Sequence, residues 1–471
     1  MPISDHIGGF IRPGFNPLLV TDAPTIGTAS AGVGLDLSIA FTAPSDVGGG
    51  AITSYEAVAT DTVSGVVFIA SGSSSPISIT GLTNGQSYTT TVTAINAYGP
   101  SGISGTSNSV TAQNLVGELY AWGYNNKGQL GHGNTTKYSS PVQVGALTTW
   151  KQVSSANTWA QAVKSDGTLW TWGYNGQGQL GDGTTTDRSS PTQVGVLTNW
   201  DNVSSVFRTA TSVKTDGTLW SWGQGASGTL GNGTTTNISS PVQVGALTNW
   251  LRTSAGYYHC HATKTDGTLW SWGSGGAGQL GDNAQTNRSS PVQVGSLTTW
   301  DNVTGGFSWG AGITTDGKLY TWGESGAGQG GHGNTTETSS PVQVGALTTW
   351  SKIAGGKSSA AAIKTDGTLW AWGWNNYGQL GDGTTTNRSS PVQIGSLTTW
   401  AVIVPSVNQM LAVKTDGTLW AWGAGAGGGL GQGNQTNYSS PVQVGSLTTW
   451  LAIEGMGGCS SEGFSFALKT P

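Results

Sequence analysis

His259, Cys260 and His261 stand together in the run GYYHCHATK. If that run is a strand, alternation puts both imidazoles on one face, which is how a metal site can begin. No third ligand is visible, so no metal is expected. Asp182 and Asp187 in GDGTTTD carry part of the spacing of a calcium loop. Only two of seven copies begin that loop as GDGTTT, which favours a plain turn. Trp122, Trp172, Trp222, Trp272, Trp322, Trp372 and Trp422 each precede a glycine. Such an array could absorb light or stack on sugars. It could equally fill wedges between packed elements, with the glycine admitting a close backbone. There is no P-loop, and the five histidines follow no nucleophile motif. Sugar cleavage needs convergent carboxylates about 5–10 Å apart. The variable segments defined below hold only Glu324, Glu454 and Glu462. The chain therefore reads as a non-enzyme with no cofactor.

The elements that would position these residues are written as a repeat. SSPVQVGALTTW at 139–150 recurs with little change, and its closing Trp falls at 150, 200, 250, 300, 350, 400 and 450. Each unit supplies four short strands: A (WDNVSS), B (TSVKT), C (TLWAWG) and D (SSPVQV). An Asp-Gly hairpin joins B to C, and the Pro suits an edge strand. Seven such units predict a seven-bladed β-propeller over 117–471. GELYAWG (117–123) opens the array without its preceding strand, and FALKT (466–470) ends it with that strand. Pairing of strands from both ends would close the ring and hide its edges.

The repeat resembles that of the regulator-of-chromosome-condensation family. DGTLWAWGWNNYGQLGDGTTTNRSSPVQIG (366–395) carries its WG, GQLG and P-x-x-V spacing, and the pattern covers about 117–471. The resemblance implies a guanine-nucleotide-exchange or chromatin role. This chain lacks a basic tail and an evident wedge insertion before the last blade, so exchange is set aside. It also lacks the Arg-bearing tryptophan motif of an ultraviolet-receptor relative. Histidine is common in the strand holding His259 in this family.

Ahead of the repeat, residues 23–112 alternate like antiparallel strands and resemble a fibronectin type III domain. APSDVGGGAITSY (43–55), GLTNGQSYTTTVTAINAYG (81–99) and Tyr88 at the corner position carry that resemblance, with Phe41 where Trp is usual. It implies a spacer or binding sandwich, joined to the propeller by a linker at 113–116. The whole is all-β. Residues 1–22 have no basic n-region, so no secretory leader is expected. They read as an extended arm, apolar for a solvated tail, with Ile7, Phe10, Ile11, Phe15, Leu18 and Leu19 as docking candidates. Residues 1–116 hold one base, Arg12, against six acids, so the net −5 lies wholly there. No basic stripe exists, which argues against nucleic acid. No apolar run of about 18 residues suggests membrane insertion.

Most of each unit hardly varies, but two windows do. One follows the Trp150-type position and contains the A–B turn; the other follows WG and begins the C–D loop. In an up-and-down blade both emerge on one face, and loops on a scaffold are where recognition usually sits. The binding-face candidates are Trp159, Phe207, Arg208, Tyr257, Tyr258, His259, Phe307, Trp309, Lys357, Asn408 and Gln409, with Trp374 and Tyr377 from the second window. Arm, sandwich and displayed propeller in series suggest a virion structural or adhesion protein (capsid decoration, tail or fibre). Its arm would dock on other virion proteins, and its propeller would meet a host-surface glycan or protein. The alternatives are a bacterial surface adhesin or carbohydrate-binding module and an intracellular protein-interaction scaffold. Deleting residues 1–22 should abolish incorporation into a particle while leaving a folded chain, as sedimentation of particles and chain would show.

Overall fold

Alternation in LSIAFT, ITSYEAVATD and SYTTTVTAIN buries every second side chain, as a sheet with one covered face requires. The computed structural model describes residues 19–31, 37–83, 86–112, 116–452, 456–457 and 463–470. They form two units that divide between Leu115 and Val116. In the first, Thr25–Ala31, Leu37–Thr42 and Ile77–Ile79 make one antiparallel sheet. Val67–Gly72, Ile52–Asp61, Ser87–Asn96, Gly99–Pro100 and Val110–Thr111 make the other. Both contribute to one core containing Leu37, Ile39, Tyr55, Ala57, Tyr88 and Val92. The Thr83 N–H donates to the buried Tyr88 hydroxyl at 3.0 Å.

Leu19 departs from the expected docking arm. It is not part of a free arm, because its carbonyl accepts the Gly49 N–H at 2.8 Å and the Asn96 amide at 2.9 Å. Thr21 and Asp22 likewise bond to the Asp46 carbonyl. Residues 19–22 thus pack on the two-sheet unit. Ile7, Phe10, Ile11, Phe15 and Leu18 lie outside the described residues.

The second unit holds seven sheets in a ring. Blade 1 pairs Trp150–Ala156, Trp159–Lys164, Leu169–Gly173 and Arg188–Gln193 in that order, strands A to D. Blades 2 to 6 repeat this at intervals of 50 residues. Blade 7 is assembled from both ends of the array. Trp450–Ala452 supplies A, Phe464–Lys469 supplies B, Glu118–Gly123 supplies C and Tyr138–Gln143 supplies D. The closing pair runs from Phe464 against Gly123 to Lys469 against Glu118, whose side chains also form an ion pair at 2.8 Å. The tips of strand A from blades 1 to 6 line a shared cavity, so A is innermost.

Each B–C turn is built the same way in most blades. The Asp166 carboxylate accepts both the N–H and the hydroxyl of Thr168, while Lys164 lays its ammonium 3.6 Å from the Trp170 ring centre. Burial lowers that lysine's pKa, and the cation–π contact compensates part of the lost hydration. Blade 4 has Thr314 in the lysine's place, and Lys318 across the turn pairs with Asp316 at 2.6 Å.

Tryptophans hold blade to blade. The Trp172 indole N–H donates to the Gln129 carbonyl of the preceding blade at 2.8 Å, and Trp222 to Gln179 at 3.0 Å. The same bond recurs at Trp272, Trp322 and Trp372, and Trp122 closes the ring on Gly429 at 2.9 Å. Trp422 alone of the seven has its buried N–H without a partner among the described residues. Backbone joins the same seam: the Gly183 N–H donates to the Ser239 carbonyl, and Gly433 to Ser139. At this seam Gly178 has φ +80°, and a Cβ there would stand 2.6 Å from Ser239 Cα of the next blade. No larger residue fits that approach. The cores accordingly straddle blades, as where Trp159, Leu169 and Leu180 of blade 1 meet Trp200, Val203 and Trp222 of blade 2.

Trp222→Phe and Trp422→Phe remove the same ring atoms, but only the first strands a buried carbonyl. The first should therefore cost about 1 kcal/mol more. Equal shifts of the urea unfolding midpoint would contradict this account of the seam.

Candidate binding face

Each A–B turn is tied to the start of its own C–D loop. The Tyr174 N–H donates to the Thr158 carbonyl at 2.9 Å, and Trp374 to Ser358 at 2.8 Å. The two variable windows therefore share one face, around the mouth of the central channel. That cavity, of about 250 Å³, is lined by small residues on the A-strand tips, among them Ser155, Ser205, Gly305 and Gly355. Residues 453–462, including Glu454, Cys459 and Glu462, lie largely outside the described residues.

The 157-type position turns toward the channel mouth in blades 1 to 6, and reads Asn157, Phe207, Tyr257, Phe307, Lys357 and Val407. Its three aromatics stack on one another. Phe207 and Tyr257 are 4.3 Å apart between ring centres, and Tyr257 and Phe307 are 4.1 Å apart at 25°. Tyr258 meets both Phe207 and Tyr257 edge-on. Lys357 places its ammonium 5.2 Å from the Phe307 ring centre. Arg208 lies 4.7 Å from that of Phe207 and 5.4 Å from that of Tyr174. Lys127 of blade 7 reaches the same Tyr174 ring and pairs with Asp187 at 3.5 Å. A chain of cations and rings thus runs from blade 7 to blade 5. Trp374 and Tyr377 form a separate edge-on pair at 5.7 Å in the C–D loop of blade 5.

Five candidates are not displayed. Trp159, His259, Trp309 and Gln409 occupy the first position of strand B and are buried, as is Asn408 just before it. The A–B turn is only two or three residues long, so the end of the variable window already faces the neighbouring blade. Trp159 there donates to the Phe207 carbonyl at 3.1 Å, and Trp309 to the Lys357 carbonyl at 3.0 Å. Gln409 donates to the Ala424 carbonyl at 2.7 Å. The two indoles hold the backbone of displayed residues instead of being displayed. Asp182 gives one carboxylate oxygen to Thr184 and the other to Arg188, so its charge is used within the loop. Sequence reasoning missed Tyr174 and Lys127, although 174 opens a variable window. It also missed one leucine per D–A turn, from Leu147 to Leu447, each 39–48% exposed on the opposite face.

His259 and His261 do share a face, 4.9 Å apart between ring centres, and both are fully buried. Among the described residues no group of three or more His, Cys, Asp or Glu could hold a metal ion. Burial lowers His259 to about 4 and His261 well below its usual value, and pushes the Cys260 thiol up.

Seven segments match the model of the regulator of chromosome condensation (RCC1) repeat: 116–162, 166–207, 216–263, 266–314, 316–363, 366–404 and 416–455. The chain belongs to the RCC1 repeat family. A second model of the same repeat matches 350–379. Among solved structures, human WBSCR16 is similar with TM-score 0.67 and 18% identity, covering 75% of this chain and 100% of that one. Prp20p from Saccharomyces cerevisiae, described with its binding to Gsp1p and histones, is similar with TM-score 0.67 and 17% identity, covering 76% and 92%. Yeast RCC1 (Prp20) bound to Kap60 matches with TM-score 0.65 and 17% identity. At these identities the likeness shows the RCC1 propeller fold. No curated protein matches.

The buried histidines set a pH dependence. Their folded pKa lies below the unfolded value of 6.5, so the unfolded chain binds more protons in the acid range. Stability from this pair is full above about pH 6.5 and falls as pH drops toward 4. A His259→Gln/His261→Gln double variant should flatten that part of the stability curve. Identical slopes for variant and parent in urea titrations from pH 7 to 4.5 would refute this.

Proposed function

We propose that this chain is a non-enzymatic protein-interaction propeller that contacts its partner through the A–B turns and C–D loops at the channel mouth. The observation that carries this is the half-buried stack of Phe207, Tyr257 and Phe307 on the face where the copies differ. Stacked aromatics with cations at their ends, set on a rigid rim, have the composition of an interface centre. Similar folds described through their binding to Gsp1p, histones and Kap60 support the reading, though no partner carries over at 17% identity.

Narrower proposals attach to it. The two-sheet unit serves as a fibronectin type III-like spacer, supported by the Tyr88 corner contact. The order of apolar segment, spacer and propeller supports display on a virion, or on a bacterial surface, with the segment before residue 19 as the anchor. A photo-crosslinking residue replacing Tyr257 should trap a protein from extracts of the native cell, whereas one replacing Leu347 on the opposite face should not. Equal yields from both positions, or none from position 257, would sink the reading.

A further inference from the structure

We propose that the channel mouth recognises an acidic, hydrophobic peptide segment of its partner. Two carboxylates would bind Arg208 and Lys357, and an apolar side chain between them would enter the channel. The inference rests on the protein-binding reading and names the chemistry of the partner.

Arg208 is the first observation. The arginines that open the D strands are satisfied, with Arg188 on Asp182 at 2.9 Å, Arg288 on Asp282 at 2.8 Å and Arg388 on Asp382 at 2.7 Å. Arg208 has no carboxylate among the described residues. Its Nε is shielded from solvent and has no acceptor. A guanidinium N–H shielded from water without an acceptor is costly until one is supplied. The Tyr174 and Phe207 rings pack against the group, and a guanidinium so held can offer its remaining N–H donors to a carboxylate in bidentate fashion. At the far end of the stack, the Lys357 ammonium contacts the Phe307 ring and pairs with no carboxylate among the described residues.

The second observation is the cavity. Ala255, Gly305, Ala354, Gly355 and Val404 give its wall an apolar surface, and about 250 Å³ accommodates a leucine or phenylalanine side chain. Ser155, 7% exposed, lines the same cavity, and its buried hydroxyl has no partner among the described residues. The order of charges selects the ligand. The three rings lie on one another, with Arg208 and Lys357 over the end rings, so no free ring face is left for a base to stack on, and they interrupt the positive track that a phosphate chain favours. Stacking on one another also covers the ring faces a sugar would use. Cation, rings, cation complements carboxylate, apolar group, carboxylate.

Fluorescence anisotropy on the full chain tests this with a labelled peptide of repeated Glu-Leu-Ser and its Gln-Leu-Ser counterpart. The glutamate peptide should bind about tenfold tighter or more, and Arg208→Gln or Lys357→Gln should remove most of that difference with an unchanged melting curve. The comparison of the two peptides on the parent chain needs no variant to fold. Equal affinities, or tighter binding of an oligothymidylate, would overturn the proposal. Equal affinities alongside intact crosslinking from position 257 would remove the acidic chemistry and leave protein binding standing; loss of both would remove both.

Discussion

One bond repeated around the ring carries the propeller: an indole N–H at the end of a C strand donating to a carbonyl in the preceding blade's glycine-rich loop. The sequence separation is 43 residues inside the array and 307 where Trp122 meets Gly429. Seven 50-residue units make those two separations the same step taken in opposite senses. The closing blade therefore has no special joint. The seam needs a large ring with one donor, and beside it a residue without Cβ, which is why a chain with few charges is so rich in tryptophan and glycine. A length change within a blade would shift that donor from its acceptor, so the constraint acts on spacing as strongly as on residue type.

That constraint sorts the molecule into fixed and free parts. B–C and D–A turns sit where the lysine–tryptophan contact and the Asp–Thr bonds recur nearly unchanged. The other end carries the turns whose residues differ, and the seam still reaches them from beneath. Trp159 and Trp309 grip the backbone of Phe207 and Lys357 in the next blade. Differences at the channel mouth are thus mounted on fixed backbones, which lets a stack of rings persist without a partner.

Ring count, blade order and end-to-end closure were legible because 50-residue periodicity, Asp-Gly turns and an orphan final strand are local signals with few alternatives. The common face of the two windows followed from up-and-down topology. What failed was depth. Trp159, His259 and Trp309 vary like displayed residues, yet variation there reflects how each wedge is filled, and nothing in a single sequence separates a filled wedge from an open rim. Tyr174 was unreadable for a related reason: its contact with Arg208 joins loops of two blades and depends on how neighbouring sheets are placed. Leu19 was assigned to an arm because composition cannot show the carbonyl contacts that hold it to Gly49 and Asn96.

The identity of the closing contact with the others has a topological consequence. The two ends of the repeat array meet at the B–C turn of blade 7, where Lys469 faces Glu118. Equivalent Asp-Gly turns stand in the other six blades, so an array joined across the blade 7 turn and reopened at any of them would retain every seam. Which B–C turn stands open is therefore a matter of connectivity alone, and the disc itself is indifferent to it.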